Sequence, residues 1–348
     1  MNDFTFRVLE DNEYDTEINN LSGHFTQSFL YKKWQEKRTG VEVYRFILNK
    51  NDQAQFFFQS LVSTLTGSTK QMYIPHGPIA LSDNIDEETI NSFIKELRVW
   101  AKKNKIAFIR FDPQGLNHKI LHFLKHKIKA SPENGYHTVL AQPRFEWITD
   151  IKKNEEELIS TLPKNTRYSI RSAQSRGTKI KIINSNLDSY FDIFYNLLRE
   201  TSLRGHFKLH PENYYRHILQ TTEEFNQGFL VLAEFEDEVL AANLITIYGQ
   251  TALHVFGGSS EHHRDKFPTY LAHWHGFLES QKRGAASYSF GGISSDDKNN
   301  DSWKNITAFK KQFTGEIKDF GQLLDLPTLP FWYYLYKIKK NIDQFFKK

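Results

Sequence analysis

A chain of 348 residues with 39% hydrophobic residues, 29 Phe and 16 Tyr can bury real cores, so it is not a disordered chain. Its length fits two domains at about 100–200 residues each. The absence of cysteine excludes a disulfide scaffold, a thiolate zinc site and a cysteine nucleophile, and a net charge of +4 is too mild to announce a nucleic-acid binder.

In chain order, FTFRVLE predicts a short strand and FLYKKWQEKRTG a helix stopped at Gly40. VEVYRFILN and QAQFFFQSLV flank turn residues 49–52, the pattern of a hairpin. DEETINSFIKELRVWAKKNKI predicts a helix whose stripe is Ile90, Phe93, Ile94, Leu97 and Val99. IAFIRFDP reads as a buried strand stopped by Pro113, and HKILHFLKHKI as a further helix.

A second segment begins near Phe145, with HTVLAQPRFEWITD as the strand crossing into it. TLPKNTRYSIRSAQSRG predicts a helix with proline near its start and Gly177 at its end. TKIKIINS is a strand, LDSYFDIFYNLLRETSLRG a long amphipathic helix, and PENYYRHILQTT a shorter one. Three strands follow in 228–258, with turns at 236–238 and 249–250, then a helix from Pro268 closed by Gly284, then the strand AASYSFGG. A similar order of helices and strands recurs in both halves. The tail FWYYLYKIKKNIDQFFKK predicts an amphipathic helix with a basic face, packed back on a domain; peripheral contact with an anionic membrane is the alternative.

The N-terminus carries no basic-then-apolar signal pattern, and no run approaches the roughly 20 apolar residues of a membrane span, which predicts a cytoplasmic protein. Charge is uneven along the chain. Residues 158–187 contain no acid, while Lys164, Arg167, Arg171, Arg176, Lys179 and Lys181 crowd together, and 98–129 is a second basic region. Such local fields attract phosphate-bearing partners, although a solvated helix face gives the same pattern.

Sharp cofactor motifs are missing: no GxGxxG, Walker A, HExxH or EF-hand pattern occurs. GGSS at 257–260 and GGIS at 291–294 read as glycine turns after strands, where backbone can approach a ligand. His262 and His263 beside Glu261, and His273 with His275, have no third metal partner by pattern and read as surface or core histidines. Arg204 and His206 sit just past the long helix, and arginine is the natural fork for phosphate or carboxylate. In AFKKQFTG, Phe309 packs while Lys310 presents an ammonium able to stabilise negative charge during acyl transfer.

Taken together, these segments resemble the FemABX family, the peptidoglycan bridge-forming aminoacyltransferases. TQSFLYKKW, YIPHGPI, IAFIRFDPQG, LPKNTRYSIRSAQSRG, LLRETSLRGHF, the P-T-Y-L-x-x-W run at 268–274 and AFKKQFTG occur in family order over most of the chain. The resemblance implies an α/β fold of tandem GNAT-like (acyl-CoA N-acyltransferase-like) domains. The second would span 147–318 and the first 1–146 plus 319–348. It is the compact type, without a coiled-coil arm.

The implied reaction is attack of an amine on an aminoacyl-tRNA ester. The amine belongs to the third residue of a UDP-MurNAc-pentapeptide or its lipid-linked form, and no metal, cofactor or covalent enzyme intermediate is implied. Aminoacyl-tRNA is then a co-substrate, the enzyme acts in the cytoplasm or at the inner membrane face, and a monomer is expected. Arg204 matches the family's phosphate-gripping arginine, and Phe309 with Lys310 its Phe-Lys pair near the reacting ester. Arg167 and its basic neighbours are further phosphate contacts.

Three positions depart from the family pattern. Gln35 stands where a lysine is usual, with Lys32, Lys33 or Lys37 as replacements. Tyr288-Ser289-Phe290 replaces Tyr-Asp-Phe, with Tyr288 retained as a substrate contact, and Phe313-Thr314-Gly315 replaces Phe-Gly-Gly. Competing readings are a same-fold acyltransferase with another donor or acceptor and a non-catalytic RNA- or cell-wall-binding module. A CoA-dependent enzyme lacks its Q/R-x-x-G-x-G/A loop here.

Overall fold

The computed structural model describes residues 4–10, 12–20, 23–82, 84–113, 116, 118–130, 142–294 and 303–345, and these fall into two compact units, Met1–Arg144 with Phe320–Lys348 and Phe145–Asp319. In the first, β1 (Phe4–Leu9) is followed by α1 (Asp15–Asn20) and α2 (Phe29–Glu36), then β2 (Val41–Lys50), β3 (Gln53–Thr66), β4 (Thr69–Ile74) and the short β5 (Ile79–Ala80). Asn51 and Asp52 both take left-handed backbone, φ 51° and 62°, which gives the β2–β3 turn the hand that suits twisted antiparallel strands. α3 (Glu87–Lys103), β6 (Ile106–Phe111), α4 (His118–Lys127) and β7 (Lys129–Ala130) follow.

Every residue of β6 is buried, as its unbroken apolar run requires. Ile90, Phe93, Ile94 and Leu97 of α3 enter the core with Phe46, Phe56, Phe58 and Phe111. Val99, expected in that stripe, is instead 56% exposed. It lies two positions after Leu97, about 200° around the helix and off the buried face. Gln27 is fully buried and locks the turn at 25–27 to the sheet. Its amide donates to the carbonyls of Gln59 and Pro75 and accepts from Gln59 N–H at 2.7 Å.

The second unit contains β8 (Phe145–Asp150), α5 (Glu155–Thr161), α6 (Lys164–Ser175), β9 (Lys179–Ile183), α7 (Phe191–Gly205) and α8 (Glu212–Glu224). Next come β10 (Gly228–Phe235), β11 (Glu238–Tyr248), β12 (Thr251–Ser259), α9 (Pro268–Lys282), β13 (Ser287–Ile293), α10 (Lys304–Lys310) and β14 (Glu316–Asp319). The expected strand at 137–150 is described only from residue 142, and the described part contains β8. α5 escaped the periodicity because only Leu158 of its seven residues is buried; Asn154 caps it by accepting from Glu157 N–H. No helix of this unit exceeds 15 residues among the described residues, so it carries no coiled-coil arm there.

The chain then supplies β15 (Leu324–Pro327) and α11 (Pro330–Phe345) to the first unit. Its sheet runs β1-β2-β3-β4-β6-β15-β7, with β5 on β3; the other runs β14-β8-β13-β12-β11-β10-β9. The neighbour patterns match. In each, four antiparallel strands end on a parallel partner, β4 with β6 and β12 with β13, which is followed by an antiparallel neighbour. Helices pack on these sheets, an α/β architecture. No helix among the described residues is long and apolar enough to cross a membrane.

Candidate functional site

The glycine pairs lie inside strands and not in turns after them. Gly257 and Gly258 belong to β12, and Gly291 and Gly292 to β13. The reason is close approach. A Cβ on Gly258 would sit 2.4 Å from backbone of Leu197 in α7, and one on Gly257 would sit 2.4 Å from His254 Nε2. Gly258→Ala should therefore push α7 off β12 and lower stability by about 1–3 kcal/mol, read by urea unfolding.

β12 and β13 pair in parallel from Thr251–Ser287 only to Leu253–Ser289. Beyond that point β13 bulges against β8, and Gly291 takes φ +71°, open to glycine without strain. The parallel ladder thus stops at His254, and polar side chains gather there.

Lys310, the last residue of α10, is buried and donates from Nζ to Gly292 O at 2.6 Å. Burial pushes its ammonium down to about 8, opposed by the charge of Glu146 on β8. Glu146 accepts from Ser289 Oγ at 2.7 Å, and Ser289 Oγ accepts from Gly291 N–H at 3.0 Å. The serine found where the resemblance expects aspartate thus holds a carboxylate supplied by the neighbouring strand. The segment after Lys310 is pinned as well. Trp147 Nε1 donates to Phe313 O, Thr166 to Gln312 O, and Thr314 Oγ1 to Thr161 O at 2.6 Å. That last bond gives the Thr314 departure a structural use at the end of α5.

Two histidines stand beside the lysine, His273 buried and His254 half-buried. His254 and His273 lie edge to face at 4.8 Å; His254 Nε2 is 3.2 Å from Asn243 Oδ1, and His273 Nδ1 is 3.1 Å from Tyr288 Oη. Burial, then the Lys310 charge, drives His254 down to about 3, and burial drives His273 well below its usual range. Both rings are neutral at pH 7. A general base works best near the operating pH, so a ring held this far down is a poor one. Phe309 is half-buried against Tyr270, His273 and Phe313.

Of the other residues singled out in the sequence, Tyr288 lies here and the rest do not. Tyr288 is fully buried and holds His273, with no surface for a ligand. Arg204, exposed at the end of α7, donates to Ser259 O at 3.1 Å and Ser259 Oγ at 3.0 Å, where β12 ends. Arg167 donates to the carbonyls of Ser160 and Leu162 and so closes α5. Arg176 is likewise engaged, by Asp265 O and the Phe267 ring, leaving Lys164 and Arg171 as exposed cations of α6. His262 pairs with Glu238 at the surface.

In the first unit, Gln35 is buried and accepts from Arg38 at 2.8 Å. Lys33 lies near Glu36 at 3.5 Å and over the Phe29 ring, and Lys37 is exposed at the helix end. The cation beside Gln35 is therefore Arg38, which sequence reasoning missed. It also missed His254, Asn243 and Glu146. Only Glu146, a carboxylate in an apolar strand, left a signal.

The model of the FemAB family matches residues 9–236 and 230–341. The chain belongs to the FemAB family. Membership carries acyltransferase activity in general terms. Among curated FemAB relatives, a lipid II:glycine glycyltransferase of Staphylococcus epidermidis is 22% identical over 386 aligned positions, covering 90% of this chain and 91% of that one. Its counterpart in Staphylococcus aureus is 23% identical, covering 85% and 87%. The crystal structure of FemX superposes with a TM-score of 0.83 at 19% identity, over 96% of this chain and all of that one. A tandem GNAT protein of the clavulanic acid pathway reaches 0.55 at 9% identity, covering 94% and 99%. The FemAB fold of this chain is thus related to GNAT-like acyltransferases.

Proposed function

We propose that this chain is a tRNA-dependent aminoacyltransferase of cross-bridge synthesis. It joins an aminoacyl group from aminoacyl-tRNA to the side-chain amine of a peptidoglycan precursor pentapeptide. The observation that carries this reading is the buried Lys310 ammonium, held at the end of the β12–β13 ladder with Phe309 beside it. An aminoacyl ester is already activated, so the enzyme's task is orientation and charge stabilisation.

As the amine attacks the ester carbonyl, a C–N bond forms and the carbonyl oxygen gains negative charge. The Lys310 ammonium has N–H groups beyond the one given to Gly292 and offers them to that oxygen. Collapse breaks the C–O bond and releases the tRNA hydroxyl, and the attacking amine gives up its proton to water or substrate. The names of the staphylococcal relatives support a muramoyl precursor as acceptor, and the matching strand patterns of the two sheets support tandem GNAT-like domains. In this reading the enzyme is a monomer that acts in the cytoplasm or at the inner membrane face.

Arg204 supplies a guanidinium for precursor phosphate. Arg204→Ala should raise the precursor Kd about 10- to 100-fold, the weight of a charge-assisted contact, with turnover at saturation little changed. The deciding experiment incubates the protein with matched charged tRNAs and either soluble or lipid-linked precursor, and reads product mass. A new amide on the third residue supports the proposal. Acylation only from acetyl-CoA, or tight RNA binding with no turnover across all charged tRNAs, sinks it.

A further inference from the structure

The last helix is anchored on one side only. Tyr333 and Tyr336 of α11 are buried against Ala107 and Phe108, and Tyr336 Oη accepts from Arg110 at 2.9 Å. Successive residues advance about 100° around a helix. Phe331, Tyr334, Leu335, Ile338 and Ile342 therefore fall within one arc of about 100°, on the side away from the two tyrosines. All five are exposed, from 38% for Ile338 to 66% for Phe331. Lys337 and Lys339 flank that arc on opposite sides, and 330–342 carries three lysines and no acid.

A second copy of this chain is a poor occupant. The stripe is about 17 Å long and one helix wide, far short of the roughly 800 Å² per partner that a stable dimer buries. Self-pairing would also set its flanking lysines against each other. An anionic bilayer surface meets both features. Aliphatic and aromatic side chains enter the boundary between headgroups and acyl chains, while flanking lysines reach phosphate.

We infer that α11 docks the chain on an anionic membrane surface, lying in the interface plane with the Phe331–Ile342 stripe inserted. The proposal does not rest on the transfer reaction. It is tested by co-sedimenting the full chain with unilamellar vesicles of phosphatidylglycerol and phosphatidylcholine in equal parts, and with vesicles of phosphatidylcholine alone. Wild type should prefer the anionic vesicles. L335E/I338E should lose about 100-fold in affinity, and K337Q/K339Q about 30-fold. All substituted positions are exposed, and circular dichroism checks folding. In wild type itself, amide exchange of 331–342 should slow on anionic vesicles. Absent binding, equal binding to both vesicles, unchanged binding by L335E/I338E, or a wild-type dimer that L335E/I338E dissociates would each overturn the proposal.

Discussion

Lys310→Ala should reduce turnover by about 10²- to 10³-fold, the usual loss when one donor to a developing oxyanion is removed. Its precursor affinity should be nearly unchanged, because Arg204, and not Lys310, is assigned to phosphate. Protonation gives a second readout. With its pKa near 8, the ammonium is present below that pH and is lost as pH rises through it. The ratio of wild-type to K310R turnover should then fall above about pH 8, since arginine keeps its charge; taking a ratio cancels the titration of the substrate amine. A ratio flat across pH 7–9 would remove Lys310 from the chemistry.

Stability should move the other way. The folded-state pKa of Lys310 lies below the ordinary lysine value of 10.5, so between about 8 and 10.5 the unfolded chain binds more protons. Wild-type stability therefore gains from this group as pH rises through that window. K310M should melt above wild type at pH 7, and the difference should shrink toward pH 10.5. A variant that loses both turnover and stability would mark Lys310 as a structural residue.

The largest stability loss is expected at Arg110. Its Nε and Nη2 donate to the two oxygens of Asp325 at 2.9 and 3.0 Å, with both side chains buried, and Tyr333 and Tyr336 complete the cluster. One ion pair thus ties β6 to β15 and α11. Arg110→Met leaves the Asp325 carboxylate uncompensated and should cost about 3–5 kcal/mol in urea unfolding. Adding Asp325→Leu removes the orphaned charge and should restore most of that loss. An R110M cost below about 1 kcal/mol would mean that Asp325 finds another partner or takes up a proton.

Much of the local structure was legible. The hairpin at 49–52, the helix over 87–103, the strands from 228 onward and the helix from Pro268 follow from apolar period and turn residues. Val99 and α5 were not, because both depend on which side of a helix the rest of the fold covers. The glycine pairs looked like turns because nothing local shows that α7 will lie against Gly258.

What the sequence by itself determined is most of the longer elements and the family signature, down to Phe309 and Lys310. Periodicity and turn chemistry act between residues a few positions apart, so they can be read along the chain. Only the tertiary structure decided the electrostatics: Glu146 bonded to Ser289, the two neutral histidines, and the lowered pKa of Lys310. It also decided that α11 buries Tyr333 and Tyr336 and turns the Phe331–Ile342 stripe outward. Desolvation and charge pairing depend on groups 18 to 164 positions away from Lys310, and no local pattern specifies them.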